Sequence, residues 1–323
     1  MSRKHTILLL CLAALVIYKT VMFISYINPE KINIATWNVQ TFFDAEFSGS
    51  EYSEYASAKN GWSAEKYYTR LLRLADALDA IDADIIALEE IENLNVVHDI
   101  ANVMPYMTKL RYAVFACQPG SALGVAVFSR WPITSAKAHQ IQLPQTRPET
   151  LRPIFEVHVK VAKKDVAVLV NHWKSKASGG ETGGILRQCQ QALLAGCIAE
   201  LKQRKNYDND VITALGDFNQ KTEEFQIDYD AKEVALNGVQ NTEKVKSVWF
   251  ESAVSGAGYY FFRDSWEQID HIFLASDNIC FNECGTVTKR MFLRQDGTPN
   301  AYKMYTGTGL SDHLPLKAEI CLR

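Results

Sequence analysis

Residues 211–219 read VITALGDFN, an apolar run that stops on a glycine and then sets down an aspartate and an asparagine two residues apart. Aliphatic and β-branched side chains in so short a run, bounded by Gly, describe a buried strand. Strand interiors exclude carboxylates, so Asp217 and Asn219 belong where the chain leaves the sheet. The pattern recurs. Asn38 follows IATW, Glu90 follows IIALE, His172 follows VLVN and Asp270 precedes HIFLA. SDHLP (311–315) places Asp312 and His313 just before the closing apolar run Leu316–Ile320. Singly, each has a plain structural explanation as a turn residue, a solvated helix start or a satisfied core histidine. Together they gather carboxylates, amides and imidazoles at one rim of the strands.

Further strands are expected at Ile32–Val39, Asp84–Leu88, Gly124–Ser129, Ile154–Val161, Val166–Val170 and Ile269–Leu274. One helix starts at a Ser63 cap and turns Leu71, Ala75 and Leu78 to one face; a second spans Ile185–Gln203 with Leu186, Leu193, Cys197 and Leu201 inward. Gln220–Phe262 carries a mixed-charge helix candidate, Asp230–Leu236, in a segment suited to shaping a substrate. Many strands and few helices predict two sheets between helical layers, an α/β fold. The 323 residues, 47% hydrophobic and 22% charged, suit one large globular core. A net charge of −3 gives no global attraction to nucleic acid, so a polyanion would need a local patch.

The N-terminus differs. Ser2-Arg3-Lys4-His5 precede an apolar stretch, residues 6–27, interrupted only by Lys19. Its length suits a membrane span, and no small-residue cleavage site follows. The expectation is an uncleaved anchor over 1–28, contacting the membrane through its helix, and one domain over 29–323. The basic residues would stay cytoplasmic, which places that domain on the extracytoplasmic (periplasmic or extracellular) side. Cleavage would make it secreted. Cys117, Cys189, Cys197, Cys280, Cys284 and Cys321 lie beyond the anchor. Cys189 and Cys197 sit two helical turns apart, roughly 12 Å, too far to pair with each other. Other pairings are not deducible from spacing, and none has zinc-ligand spacing with histidine.

TWNVQTFF (36–43), DIIALEEIEN (84–93), GVAVFSRWPI (124–133), LRP (151–153), NHWKSK (171–176), GDFN (216–219), QIDHIF (268–273) and SDHLP follow one another in this order. The set resembles the endonuclease/exonuclease/phosphatase family of metal-dependent phosphodiesterases, from Ile32 to the C-terminus. GDFN with SDHLP is its specific part. NVQTFF resembles the opening of pancreatic-type deoxyribonucleases, whereas NHWKSK followed by Arg187 and Gln191 resembles bacterial secreted nucleases. The resemblance implies a four-layered α/β sandwich and divalent-metal-dependent hydrolysis of phosphodiester bonds, with an endonuclease on DNA or RNA foremost. A sphingomyelinase-like phospholipid phosphodiesterase or other phosphoesterase is the rival. Outside enzymes, the alternative is a membrane-tethered binding module, which would have lost its ligands. No protein partner is inferable.

Hydrolysing an anionic phosphodiester calls for a divalent cation, a group to activate water and donors for developing charge. Oxygen ligands suit Mg2+, with Mn2+ or Ca2+ as substitutes. By the resemblance, Glu90 is the principal metal ligand, with Asn38 and Asp312 beside it. Asp217 would orient or deprotonate water, and Asn219, expected to point the same way along an extended backbone, would donate to phosphate. His313 would act on the phosphate or leaving group, with Asp270 fixing its tautomer. His172 is a second imidazole, but Pro153 follows Arg152 where pancreatic-type deoxyribonucleases supply a glutamate to orient it. Arg152, Lys174 and Arg187 are candidate phosphate contacts. A nuclease would want aromatics to stack on bases, and Trp173, Tyr259, Tyr260 and Trp266 lie beside the motifs, although core packing is the commoner fate of such side chains.

Overall fold

The computed structural model describes residues 29–55, 61–104, 110–141, 151–204, 210–251, 259–277 and 279–322, with isolated positions before residue 29. The expected membrane span lies mostly outside these. Ile7, Leu12, Val16 and Ile17 within it are helical and exposed, and no helix among the described residues is long and apolar enough to cross a membrane.

The strands in chain order are β1 (Lys31–Phe42), β2 (Ile85–Ile91), β3 (Tyr112–Ala116), β4 (Gly124–Ser129), β5 (Ile133–His139), β6 (Ile154–Val161), β7 (Lys164–His172) and β8 (Val211–Asp217). Then come β9 (Gln226–Asp228), β10 (Glu233–Asn237), β11 (Thr242–Ser247), β12 (Tyr260–Phe262), β13 (Ser265–Glu267), β14 (Asp270–Leu274), β15 (Cys280–Thr286) and β16 (Leu316–Cys321). The principal helices are α1 (Ala64–Ile81), α2 (Leu94–Val103) and α3 (Lys176–Lys202).

A six-stranded sheet has the order β15-β16-β1-β2-β4-β3, and an eight-stranded sheet the order β5-β6-β7-β8-β14-β11-β10-β9. The period of two along β7 shows how they stack. Val166, Val168 and Val170 join a core with the first sheet, while Ala167 and Leu169 pack with Leu194, Ile198 and Leu201 of α3. Leu71, Leu74 and Leu78 of α1 close the opposite outer face. The layers are therefore helix, sheet, sheet, helix, the four-layered α/β sandwich expected. Ser63 caps α1 as anticipated, accepting from the Lys66 amide at 3.3 Å.

One expectation fails. Residues 230–236 form no helix: Val234 and Leu236 are buried alternately along β10, which pairs with β9 and β11. A period of two, read against a mixed-charge composition, was the stronger signal.

Two irregularities shape the sheet rim. The β1–β2 register breaks between Asn38 and Phe42, where Gln40 (φ 57°) and Thr41 (φ 44°) are left-handed. The β2–β4 register breaks between Glu89 and Ile91, where Glu90 has φ 67°. Paired bulges of this kind re-aim side chains at a strand end.

Candidate active site

Asn38 and Glu90 emerge from these bulges. The Asn38 amide donates to Glu90 Oε1 at 3.1 Å and to Asp217 Oδ2 at 3.2 Å, stitching one sheet to the other. The Thr41 amide donates to Glu90 Oε2 at 2.5 Å, and the Gln40 amide to Asn38 Oδ1 at 2.9 Å. What holds the bulge is Arg70 of α1, a residue not singled out in the sequence. Its guanidinium is buried, donates to the carbonyls of Val39 and Thr41 at 2.9 Å each and to that of Gln40, and lies 3.7 Å from the Tyr302 ring centroid. Its signal was position: it falls in the same helical stripe as Tyr67, Leu71 and Leu74, where a solvated arginine would not.

The second sheet supplies the opposite wall. Parallel β7 and β8 bring His172 beside Asp217, and antiparallel β14 sets Asp270 opposite Asp217. Gly216 (φ 134°) permits this approach: a Cβ there would lie 1.9 Å from the Asn171 carbonyl oxygen. Asp217 Oδ1 accepts from the Asn219 amide at 2.9 Å. Asn219 departs from the extended path expected of it. Its φ is 49°, a turn in which its side chain donates to the Trp173 carbonyl at 3.2 Å while still lining the cleft. Burial and the charge of Asp270 push the Asp217 carboxyl up to about 7.

SDHLP closes the ring. His313 Nδ1 meets Asp270 Oδ2 at 2.8 Å; burial alone would disfavour its charge, but Asp270 holds the imidazole well above its ordinary pKa. The segment is anchored by Ser311, whose hydroxyl donates to the Asn38 carbonyl at 2.6 Å, and by the Trp37 indole, which donates to the His313 carbonyl at 3.0 Å. Asp312, its backbone amide held by Gln40 Oε1 at 3.1 Å, is raised by burial, with Glu90's charge adding to the effect. His172 is the contrasting imidazole. Its Nε2 lies 3.8 Å from both Glu90 Oε1 and Asp217 Oδ2, its buried Nδ1 has no hydrogen-bond partner among the described residues, and burial keeps it neutral. Pro153, which follows Arg152, has no side-chain acceptor to offer it.

Asn38, Glu90, His172, Asp217, Asn219, Asp312 and His313 line one open cleft of about 770 Å³. Of the three cations singled out in sequence, Arg152 lines it; Arg187 lines a neighbouring cleft instead, and Lys174 is placed at neither, its carbonyl accepting from Arg187 at 3.1 Å. Lys176 and Arg263 face the active cleft in their stead. Trp173 and Tyr259 are core residues, packed on Phe218 and Trp249 respectively, and Trp266 packs on Phe261. Only Tyr260 of the four expected aromatics lines the cleft, stacked on His313 with ring centroids 4.6 Å apart.

The donor set fits a hard divalent cation. Glu90 and Asp217 carboxylate oxygens share one amide, that of Asn38, and the Asp312 carboxylate lines the same cleft. So many carboxylates converging in a buried site need a counter-charge, which His313 supplies only in part.

A cleft at the rims of two stacked sheets, walled by carboxylates and amides with one charged and one neutral imidazole, belongs to the class of phosphoester hydrolases. The chain belongs to the Endonuclease/Exonuclease/phosphatase family, whose sequence profile matches residues 33–321. Members of the family are divalent-metal-dependent phosphoester hydrolases. No curated protein sequence matches the chain. Solved structures that share its fold include the following three. Zebrafish (D. rerio) TDP2 complexed with single strand DNA product is 13% identical, with a TM-score of 0.57 over 90% of this chain and 99% of that one. ANGEL2, a 2',3'-cyclic phosphatase in complex with adenosine-2',3'-vanadate, is 14% identical, with a TM-score of 0.59 over 91% and 96%. A family protein from Bacteroides thetaiotaomicron is 17% identical, with a TM-score of 0.55 over 91% and 98%.

Proposed function

We propose that the chain hydrolyses phosphodiester bonds of DNA or RNA. The observation that carries this is a row of flat groups running outward from the cleft. The His313 ring stacks on Tyr260, Tyr260 on Phe262 at 5.8 Å, and the Arg263 guanidinium covers Phe262 at 5.0 Å. Phe262 is 41% exposed. An exposed aromatic ending in a cation, beside groups suited to phosphate, is how a nucleotide's base and backbone are held together. The nucleotide ligands of the zebrafish and ANGEL2 structures agree with it.

In this mechanism Glu90, Asn38 and Asp312 would hold the divalent cation, Mg2+ foremost, whose charge offsets that of the phosphoryl oxygens. Asp217, poised near neutrality, accepts a proton from the attacking water. The Asn219 amide keeps one N–H for a phosphoryl oxygen after donating the other to Trp173. His313, cationic and oriented by Asp270, donates to the phosphoryl or leaving-group oxygen. Neutral His172 donates through Nε2, and Arg152 contacts a phosphate.

A panel of plasmid DNA, RNA, sphingomyelin and an inositol phosphate, each with and without Mg2+, tests the substrate. Cleavage of nucleic acid is expected, and turnover of sphingomyelin alone would replace the proposal with the phospholipase. We further propose that residues 1–28 tether the domain on the extracytoplasmic side, on the strength of the basic residues before the apolar stretch. Protease added to spheroplasts should then digest it, and protection of the whole domain would exclude that topology.

A further inference from the structure

β15 is an edge strand, and its first residue, Cys280, stands directly opposite Cys321, the last residue of β16. Directly opposed residues of antiparallel strands keep their Cβ atoms about 4.5–5.5 Å apart. A disulfide needs Cβ atoms roughly 3.5–4.5 Å apart, a small adjustment at a sheet edge. Burial raises Cys321, and the neighbouring Cys280 thiol raises it further. Access is open as well, since Cys280 is exposed and Cys321 half-buried. Among the described residues no other two cysteines are opposed in register: Cys284 faces Ala318, and Cys189 and Cys197 sit two turns apart on α3.

We propose that Cys280 and Cys321 form an oxidisable pair that closes into a cross-strand disulfide. Two S–H bonds are lost and one S–S bond forms. The two electrons and two protons pass to a disulfide oxidant, such as oxidised glutathione or a thiol–disulfide oxidoreductase, which leaves as the dithiol form. The closed loop from 280 to 321 contains both Asp312 and His313. The bond itself lies at the far end of β16 from His313, so it fastens the edge strand and the segment carrying Asp312 and His313 without touching the cleft. It is independent of the substrate.

The test uses the full chain, reduced and then treated with oxidised glutathione, followed by alkylation of remaining thiols, peptide mapping and a thermal melt. A crosslinked Cys280–Cys321 peptide pair and a Tm raised by about 5–10 °C are expected, with hydrolytic activity unchanged. Cys280→Ser and Cys321→Ser should each match the reduced protein and gain nothing on oxidation. Alkylation of both thiols after oxidation, glutathione adducts in place of the crosslink, or a crosslink that leaves Tm unmoved would overturn the proposal.

Discussion

Asp270 and Asp217 face one another in register across β14 and β8, two buried carboxylates on adjacent strands. Both cannot be ionised at little cost without a counter-charge. In metal-free protein, Asp217 titrates near 7 against an ordinary 3.8. A carboxyl raised by folding stabilises the native state below its unfolded pKa, and that contribution is lost as pH climbs from about 4 to about 7. Chelation should therefore lower Tm more at pH 8 than at pH 5. Asp217→Asn in EDTA should melt above wild type at pH 8. Identical pH dependence of the two proteins would show that the pair carries no such repulsion.

Glu90 sits where the register breaks against both neighbouring strands, which supports its proposed role as principal ligand. EDTA should abolish hydrolysis, and Glu90→Gln should weaken Mg2+ binding by calorimetry at least tenfold. Full activity in EDTA would refute metal dependence.

His313 and Asp270 act as one unit if their 2.8 Å contact orients the imidazole. His313→Ala should reduce single-turnover rates by ~10²-fold or more with folding nearly intact, and Asp270→Asn should share the loss. The double variant should be scarcely slower than either, because coupled residues are not additive. Fully additive losses would separate the two residues functionally.

Arg70 reaches the site only through the backbone it holds. Arg70→Met keeps the volume but leaves the carbonyls of Val39, Gln40 and Thr41 without their donors, a loss on the order of 3–5 kcal/mol in stability. Activity per folded molecule should fall as well, whereas Leu74→Ala, a comparable loss of stability from a cavity in the same helix, should spare it. Equal specific activity in the two variants would reduce Arg70 to a packing residue.

A second histidine network lies away from the cleft. His158 donates its two ring nitrogens toward Asp165 and Glu156, and Glu156 also meets His139 and Arg204. Burial opposes the charge of His158, but these partners raise it to about 9. A histidine raised by folding contributes fully below its unfolded pKa, near 6.5, and loses that contribution as pH rises through 9. Wild type should thus lose stability between pH 6.5 and 9, and His158→Gln should flatten that slope in melts. An unchanged slope would mean the network is neutral in the native state.

The strand ends were legible because apolar runs stopped on functional groups at GDFN and SDHLP, and chain order alone put them on one rim. Helix α1 was legible through its Ser63 cap and apolar stripe. What could not be read was geometry made by backbone departures. The bulges at Gln40, Thr41 and Glu90 carry no residue signature, since none of these residue types favours the left-handed region. Charge was equally mute about direction. Arg70 looks like any helical arginine until its neighbours are counted, and Arg187 looks like a phosphate contact until it turns up in the adjoining cleft. Short strands such as β9 and β10 were hidden by their charged, outward-facing alternate residues.

β16 is laid between β1 and β15, so the first sheet is left with a gap until the final strand is in place. Asn38 and His313 lie on opposite sides of that event. The emerging polypeptide therefore carries Glu90, Asp217 and Asp270 well before Asp312 and His313 can complete the site. Joining such distant segments is among the slower steps of folding. The cleft is thus completed only once the closing strand has joined the two ends of the chain.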